Sequence, residues 1–177
     1  MQNFAFANAG DSAQHLEKWR YRGGSEMPVT VNCDMGESFG LWRMGDDAGL
    51  MPLIHIANVA CGFHASDYDH MRATVRLAKQ HGVKVGAHPS LPDLQGFGRR
   101  EMKMGREEMA NCLIYQIGAL CGFLKAEGME LNHIKPHGSL YGMAARQEDI
   151  AHAVCVVKEA LFKDFLVEAR AVKASIQ

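Results

Sequence analysis

Two short segments of the sequence place a carboxylate three residues from a second carboxylate or from a histidine. In NCDMGES, Asp34 and Glu37 lie three residues apart around a glycine, so both carboxylates could reach one pocket. In CGFHASD, His64 precedes Asp67 by three residues. This pair could be a base with its orienting carboxylate, or two metal ligands. The two segments therefore predict general acid and base catalysis or metal binding.

Two further segments place histidines next to proline. GAHPS contains His88, and KPHGSLY contains Lys135 and His137. A lysine ammonium can neutralise negative charge that develops on a substrate, and the glycine after His137 lets a ligand approach the backbone. We expect His88, Lys135 and His137 to belong to the same catalytic site as the carboxylates.

Arg99 and Arg100 lie near the end of the glycine-rich segment DLQGFGRRE. This composition predicts a mobile lid that binds an anion, with both arginines as candidates for cofactor binding. The sequence contains neither G-x-x-x-x-G-K-[ST] nor G-x-G-x-x-G, so no standard nucleotide-binding motif is present.

Asp34, His64, His88 and His137 lie at or just after the ends of segments with strand patterns, at 29–34, 54–60, 83–88 and 131–137. Helices are predicted from about residue 67 to Gly82, from Arg106 to Glu127, and in a last segment that buries Ile150, Val154, Val157 and Leu161. The alternation of strand and helix indicates an α/β fold with parallel strands and right-handed crossovers. Because such strands end at one edge, Asp34, His64, His88 and His137 should converge.

Composition narrows the class of protein. The chain has 177 residues and 22% charged residues, which fits one folded domain. A net charge of -1 favours neither nucleic acid nor an anionic membrane as a partner, and we expect no membrane span. Five cysteines without a C-x-x-C pair indicate reduced thiols and a cytoplasmic protein. Residues 1–27 lack the features of a secretory signal, and we expect them to be a mobile polar extension.

The assembled motifs resemble the LamB/YcsF family, the A component of the bacterial-type 5-oxoprolinase. The matching blocks are VNCDMGESFG, PLIHIANVACGFHASD, MRATVRLAKQHGVKVGAHPSLPDLQGFGRREM, YQIGAL and HIKPHGSLY. The resemblance implies a seven-stranded β/α barrel of the glycoside hydrolase/deacetylase type. It also implies ATP-dependent hydrolysis of the lactam of 5-oxo-L-proline to L-glutamate, with ATP as cofactor and separate 5-oxoprolinase subunits B and C as partners.

The resemblance also suggests roles for the candidate residues. Asp34 or His64 would orient or deprotonate the attacking water, and Lys135 and His137 would stabilise oxyanion or phosphate charge. His88 would shape the pocket or donate a proton. The deacetylase-like fold further implies a divalent metal, for which Asp34, His64, His88 and His137 are the candidate ligands.

The C-terminal part departs from the family pattern. Family members continue with segments resembling E-x-F-A-D-R and P-G-A-V, whereas this sequence ends in KEALFKDFLVEARAVKASIQ. Residues 28–177 are therefore expected to form a partial barrel, either as a truncated product, paired with another copy or fragment, or as an open half-barrel. The segment FLVEA is either a fifth strand or a continuation of the last helix.

Three classes of function remain open. The first is an enzyme subunit for lactam hydrolysis. The second is a non-catalytic component that presents a ligand pocket to partner subunits. The third is a stand-alone metal-dependent deacetylase or amidohydrolase, which rests on the histidines and carboxylates alone.

Overall fold

Five strands of the computed structural model form one parallel sheet in chain order. They are β1 (Asn32–Met35), β2 (Ile56–Ala60), β3 (Lys84–His88), β4 (Leu131–Ile134) and β5 (Leu166–Val167). The structure describes residues 29–161 and 166–167. The first four strands confirm the predicted ones, although each is shorter than expected. In the C-terminal tail, Leu166 and Val167 of the FLVEA segment pair with β4, so this segment contributes a strand and not a continuation of the last helix.

The expected N-terminal extension, residues 1–27, lies outside the described residues. The same holds for 162–165 and 168–177 of the tail.

The helices lie between the strands, and three of them were predicted. These are α2 (Tyr68–Gln80), α3 (Arg106–Ala126) and α5 (Glu148–Leu161). The structure adds α1 (Asp47–Leu50), a 3-10 turn (Met51–Leu53) and α4 (Gly138–Arg146). These additions were missed because α1 and the turn are short, and α4 begins directly at the Pro-His-Gly turn, whose composition is typical of a loop.

The two faces of the sheet differ in polarity, because successive side chains of a strand point to opposite faces. One face supplies apolar residues to the core beneath the helices: Met35, Ala57, Val59, Val85, Ala87, Leu131 and Ile134. The alternation is interrupted in β4, where a shift in register with β3 places both Leu131 and Ile134 in the core. The other face carries Asp34, Asn58 and Gly86 in register across β1, β2 and β3. The candidate site therefore lies on the face that the helices leave open.

Helix α3 contributes most to the core on the helix side. Its buried residues are those that the helical spacing predicted: Met109, Leu113, Gln116, Ile117, Leu120 and Leu124. Gln116 is polar, but it is satisfied because it accepts from Ser90 N at 2.9 Å and donates to Ser90 O at 2.8 Å. By length and composition α3 could cross a membrane, but core helices pass the same test and its apolar side packs here in the core.

Two isoleucines on α3 test this packing with the same chemical change. Ile117 is fully buried and Ile114 is 36% exposed. We expect Ile117→Ala to lower the free energy of unfolding by about 2–5 kcal/mol, because it leaves a cavity. Ile114→Ala should change it by less than about 1 kcal/mol. Urea unfolding followed by circular dichroism measures both, and equal losses would contradict the assigned packing of α3.

Candidate active site

Asp34 lies on the open face of β1, the first strand of the sheet, and contacts three other strands or their ends. Its Oδ1 accepts from Asn58 Nδ2 at 2.9 Å and from Lys135 Nζ. Its Oδ2 lies 3.3 Å from His88 Nε2. Lys135 follows β4, so its side chain crosses the sheet to reach β1. The carboxylate thus joins β1 to β2, β3 and the exit of β4.

This arrangement keeps Asp34 ionised. Burial by itself raises the pKa of Asp34, because it disfavours the charged form. The hydrogen bond and charge of His88, followed by the hydrogen bonds from Lys135 and Asn58, outweigh burial and hold the pKa well below its usual range. A carboxylate with so low a pKa is a weak base, but it can orient and stabilise positive groups near neutral pH.

Three histidines and Glu37 form a second cluster beside the Asp34–Lys135 pair. The rings of His64 and His137 are stacked with centroids 3.8 Å apart, and the His88 ring meets His137 edge-on at 4.8 Å. Glu37 Oε1 lies 3.2 Å from His64 Nε2 and 3.9 Å from His137 Nδ1. All three histidines are at most 6% exposed. The convergence predicted for Asp34, His64, His88 and His137 is therefore found.

Backbone carbonyls determine which ring nitrogens face the cluster. His137 Nε2 donates to Phe97 O at 2.9 Å, and His88 Nδ1 donates to Lys135 O at 2.6 Å. The other nitrogens, His137 Nδ1 and His88 Nε2, lie 3.0 Å apart. Two lone pairs would oppose each other there unless His88 Nε2 carries a proton or a cation lies in the cluster. A proton on Nε2 would also face Asp34 Oδ2.

The rings of His137 and His64 favour the neutral form. Burial, followed by the neighbouring His64 ring, lowers the pKa of His137 to about 4. Burial also lowers the pKa of His64, although its hydrogen bond to Glu37 acts in the opposite direction. Near neutral pH, His137 therefore contributes no positive charge. Of the two groups expected to stabilise an oxyanion, Lys135 is the cation.

The loop after β3 closes against the histidine cluster because Gly98 has no side chain. A Cβ at Gly98 would lie 2.1 Å from Ser90 Oγ and 2.9 Å from His64 Cβ, and its φ of +64° is left-handed. This close approach brings Phe97 O to His137 Nε2 and lets Gly98 O accept from Ser139 N at 2.9 Å. The glycine-rich segment thus packs onto the site.

Glu37, His64, His88 and His137 also fit a metal ion. One ligand atom from each lies within 4.8 Å of the others. Metal bonds of about 2.0–2.2 Å place neighbouring ligand atoms of a tetrahedral site roughly 3.3–3.6 Å apart. The closest pairs in the cluster, at 3.0 and 3.2 Å, are slightly nearer than this. Carbonyls that fix the tautomers of His88 and His137 are also typical of metal-binding histidines. His64 differs from these two histidines, because its Nδ1 is buried without a hydrogen-bond partner among the described residues. The metal-fitting group therefore contains Glu37 where the sequence predicted Asp34 as a ligand, and Asp34 pairs with Lys135 instead.

Asp67 lies outside this cluster. Its carboxylate caps α2 by accepting from Asp69 N and His70 N, each at 2.9 Å, and it binds His70 Nδ1 at 2.8 Å. Gly40 N donates to the same carboxylate at 2.7 Å. The pairing of His64 with Asp67 expected from their spacing is not found, and Glu37 is the partner of His64 instead. The physical reason is the left-handed backbone of Ser66, with φ of 73°, which turns the chain between the two residues.

The two arginines of the glycine-rich segment differ in their contacts. The guanidinium of Arg100 donates hydrogen bonds to both oxygens of the buried Asp93 carboxylate, which also accepts from Gly96 N at 3.0 Å. This pair lowers the pKa of Asp93 to about 2 and ties the segment together. Arg99 is exposed, and its guanidinium lies 5.4 Å from the centre of the Phe97 ring beside the cluster. Arg99 is therefore the better placed of the two for an anionic ligand.

Sequence reasoning missed Asn58 and His133 as members of the site. Asn58 is fully buried in the middle of the apolar strand IANVA, and it contacts both Asp34 and His133. A buried asparagine in an apolar strand is itself a signal, because it needs hydrogen-bond partners on the same face. His133 alternates with Lys135 and His137 in the predicted fourth strand, but this pattern does not indicate its contact with Asn58, which lies two strands away.

Comparison with known proteins identifies the family. The LamB/YcsF family matches residues 29–176. The chain belongs to the LamB/YcsF family. It is 60% identical over 124 residues to the lactam utilization protein lamB of Emericella nidulans, and 55% identical over 126 residues to the A component of 5-oxoprolinase from Tolumonas auensis. These matches cover 70% and 71% of this chain but 49% and 50% of the relatives, so the LamB/YcsF chain spans about half their length.

A solved structure is also similar to this LamB/YcsF chain. The crystal structure of the lactam utilization protein from Thermus thermophilus matches with a TM-score of 0.79 and 46% identity. The match covers 83% of this chain and 64% of that one. Together with the parallel strands in chain order, this likeness confirms the α/β barrel class. That the chain forms part of a seven-stranded barrel stays a prediction.

The lowered pKa of His137 predicts how stability depends on pH in the presence of a chelator. Between pH 6.5 and about 4, the unfolded chain binds a proton that the buried ring does not. Stability should therefore fall as the pH drops through this window, by roughly 2–4 kcal/mol from His137 alone. Urea unfolding between pH 8 and pH 4 measures the loss, and His137→Gln should show a shallower dependence. Identical slopes, or an NMR titration midpoint of His137 near 6.5, would contradict the assignment.

Proposed function

We propose that this chain is part of an ATP-dependent 5-oxoprolinase that hydrolyses the lactam of 5-oxo-L-proline to L-glutamate. The observation that carries this proposal is that the Asp34–Lys135 pair adjoins the cluster of Glu37 and three histidines, in a chain of the LamB/YcsF family. Relatives named as the A component of 5-oxoprolinase support the same substrate class. Their name also supports assembly with further chains, which we propose are subunits B and C.

The reaction requires activation, because an amide carbon is a poor electrophile and its nitrogen a poor leaving group. Transfer of the γ-phosphoryl group of ATP to the lactam oxygen would make the carbon reactive. A water molecule then adds to this carbon, the carbon–nitrogen bond breaks as the nitrogen gains a proton, and an acyl phosphate is left. A second water converts it to the free carboxylate and inorganic phosphate.

The side chains of the site suit these proton transfers. His64 favours the neutral form and can take the proton of the attacking water, whereas the low pKa of Asp34 makes it a weak base. His88, with Nε2 protonated against Asp34, can give a proton to the leaving nitrogen. Lys135 compensates the negative charge that develops on the oxygen or phosphate. Asp34 would hold Lys135 and His88 in place.

The glycine-rich segment with Arg99 and Arg100 is the part of the chain that we expect to contact ATP. Of the two arginines, Arg99 could contact a phosphate beside the site, whereas Arg100 is paired with Asp93. The sequence contains no standard phosphate loop, which fits a division of nucleotide binding between this chain and its partners. Free cysteines among the described residues support our placement of the protein in the cytoplasm.

Replacing Asp34 tests the proposed lactam hydrolysis. The chain is mixed with subunits B and C, and release of glutamate from 5-oxoproline is measured with and without ATP. We expect Asp34→Asn to lower kcat by about 10²–10⁴, because Lys135 and His88 lose their counter-charge. Asp69→Asn removes an exposed carboxylate at the start of α2 and should leave the rate unchanged.

The outcomes of this assay separate the functional classes. ATP-dependent turnover that requires all three chains supports the proposal, and wild-type rates in Asp34→Asn would contradict the role of Asp34. Binding of 5-oxoproline without turnover in any mixture would favour a non-catalytic binding component. Hydrolysis that needs no ATP and stops with a chelator would favour the metal-dependent class.

A metal-dependent deacetylase or amidohydrolase is the second candidate function, and the metal-fitting cluster is the observation that favours it. Glu37, His64, His88 and His137 would hold a divalent ion. Bound there, the ion would polarise a carbonyl oxygen or lower the pKa of a water molecule. The mixed nitrogen and oxygen ligands suit Zn²⁺ or another transition metal better than Ca²⁺.

Elemental analysis and calorimetry with Zn²⁺ test the metal site. We expect about one ion per chain, with an affinity at least about 10-fold weaker in Glu37→Gln because a charged ligand is lost. Asp67→Asn is the matched control, since that carboxylate caps α2 away from the cluster and asparagine also caps helices. Equal affinities in Glu37→Gln and wild type would count against this cluster as the site.

A further inference from the structure

A line of hydrogen bonds runs beneath the site, along the open face of the sheet. His133 Nε2 lies 2.8 Å from Asn58 Oδ1, and Asn58 Nδ2 donates to Asp34 Oδ1 at 2.9 Å. Asn58 Nδ2 also donates to Asn32 Oδ1 at 2.8 Å. The line thus joins β4 to β2 and β2 to β1. It ends on the carboxylate at the centre of the site.

The hydrogen-bonding partners of Asn58 determine the orientation of its side-chain amide. Both acceptors near Asn58 Nδ2 are oxygens, so the amide nitrogen must face them, and a flipped amide would oppose its oxygen to the carboxylate of Asp34. With the amide in this orientation, Asn58 Oδ1 needs a donor, and His133 Nε2 is in place to supply it. Asn58 is fully buried and His133 is 5% exposed, so water does not compete freely.

Gly86 makes the connection across β3 sterically possible. The His133 ring reaches from β4 to β2 by passing over β3, and a Cβ at Gly86 would lie 2.0 Å from its Cε1. Gly86 pairs with Asn58 in the register of β2 and β3. Any larger side chain at this position would block the passage of the ring. A glycine in the interior of a strand usually weakens it, so close approach of another group accounts for its presence here.

We propose that Asn58 and His133 are positioning residues that fix the rotamer of Asp34, and that Gly86 is required for their contact. This proposal rests on the proposed function for its kinetic consequence. Asn58 directs Oδ1 of Asp34 toward Lys135, which leaves Oδ2 facing His88. Without that contact, the carboxylate could rotate, and Lys135 and His88 would lose their fixed counter-charge.

Variants at three positions test the positioning role. Gly86→Ala and His133→Leu should lower kcat by about 10–100-fold with KM changed less than about 3-fold, because neither residue is placed on the substrate. His133→Gln keeps a donor near the position of Nε2 and should recover most of kcat. Asn58→Asp adds a like charge beside Asp34, so its loss should exceed that of Asn58→Ala.

Two readouts do not depend on turnover. In ¹⁵N NMR spectra, His133 should show a protonated, hydrogen-bonded Nε2 in the wild type, and this signal should change in Asn58→Leu. Crystal structures of Gly86→Ala and His133→Leu should show the Asp34 carboxylate rotated away from its wild-type position, whereas His133→Gln should retain it.

These measurements separate failure of the positioning role from failure of the proposed function. If the wild type does not hydrolyse 5-oxoproline but Asp34 rotates in Gly86→Ala and His133→Leu, the positioning role stands and the proposed function does not. An unmoved Asp34 in both variants overturns the positioning role, whatever the rates. Wild-type kcat in both variants also overturns it.

Discussion

Because β1 to β5 run parallel and pair in chain order, every strand delivers its carboxyl end to the same edge of the sheet. Each strand also turns alternate side chains toward the helices and away from them. The apolar set forms the core with α3, while the polar set shares the opposite face. Both the stability of the fold and the composition of the site therefore follow from one pairing pattern.

The polar face remains stable because its charges and donors are matched. Asp34 is ionised and half-buried, and it receives donors from Asn58, Lys135 and His88. Each partner is held in turn, Asn58 by His133 and His88 by the carbonyl of Lys135. Removing one partner would leave a buried polar group unpaired, which costs more than the hydrogen bond itself contributes. This interdependence explains why residues from four strands or strand ends form one network.

The histidine cluster can hold either a proton or a metal ion with the same side chains. The carbonyls of Phe97 and Lys135 direct one nitrogen of His137 and one of His88 toward each other. Either a proton on His88 Nε2 or a divalent ion bound with Glu37 and His64 would satisfy this pair. General acid and base chemistry and metal binding thus make different uses of one geometry.

Much of this arrangement was accessible from the sequence, because it depends on local patterns. Periodicity located four strands and three helices, and the rule that parallel strands end at one edge predicted that Asp34, His64, His88 and His137 meet. The spacing within short motifs was not a reliable guide to pairing. Asp67 lies three residues from His64 but caps α2, whereas Glu37 reaches His64 from another strand end.

Only the tertiary structure decided which of these groups touch, and in which protonation state. Asn58 lies 75 residues from His133, and Asp34 lies 101 residues from Lys135, so no local pattern could reveal either contact. The tautomers of His88 and His137 depend on backbone carbonyls of distant loops. Burial, which lowers the pKa of His137, exists only after the chain has folded. Sequence determined the elements and their order, while distances across the sheet determined the chemistry.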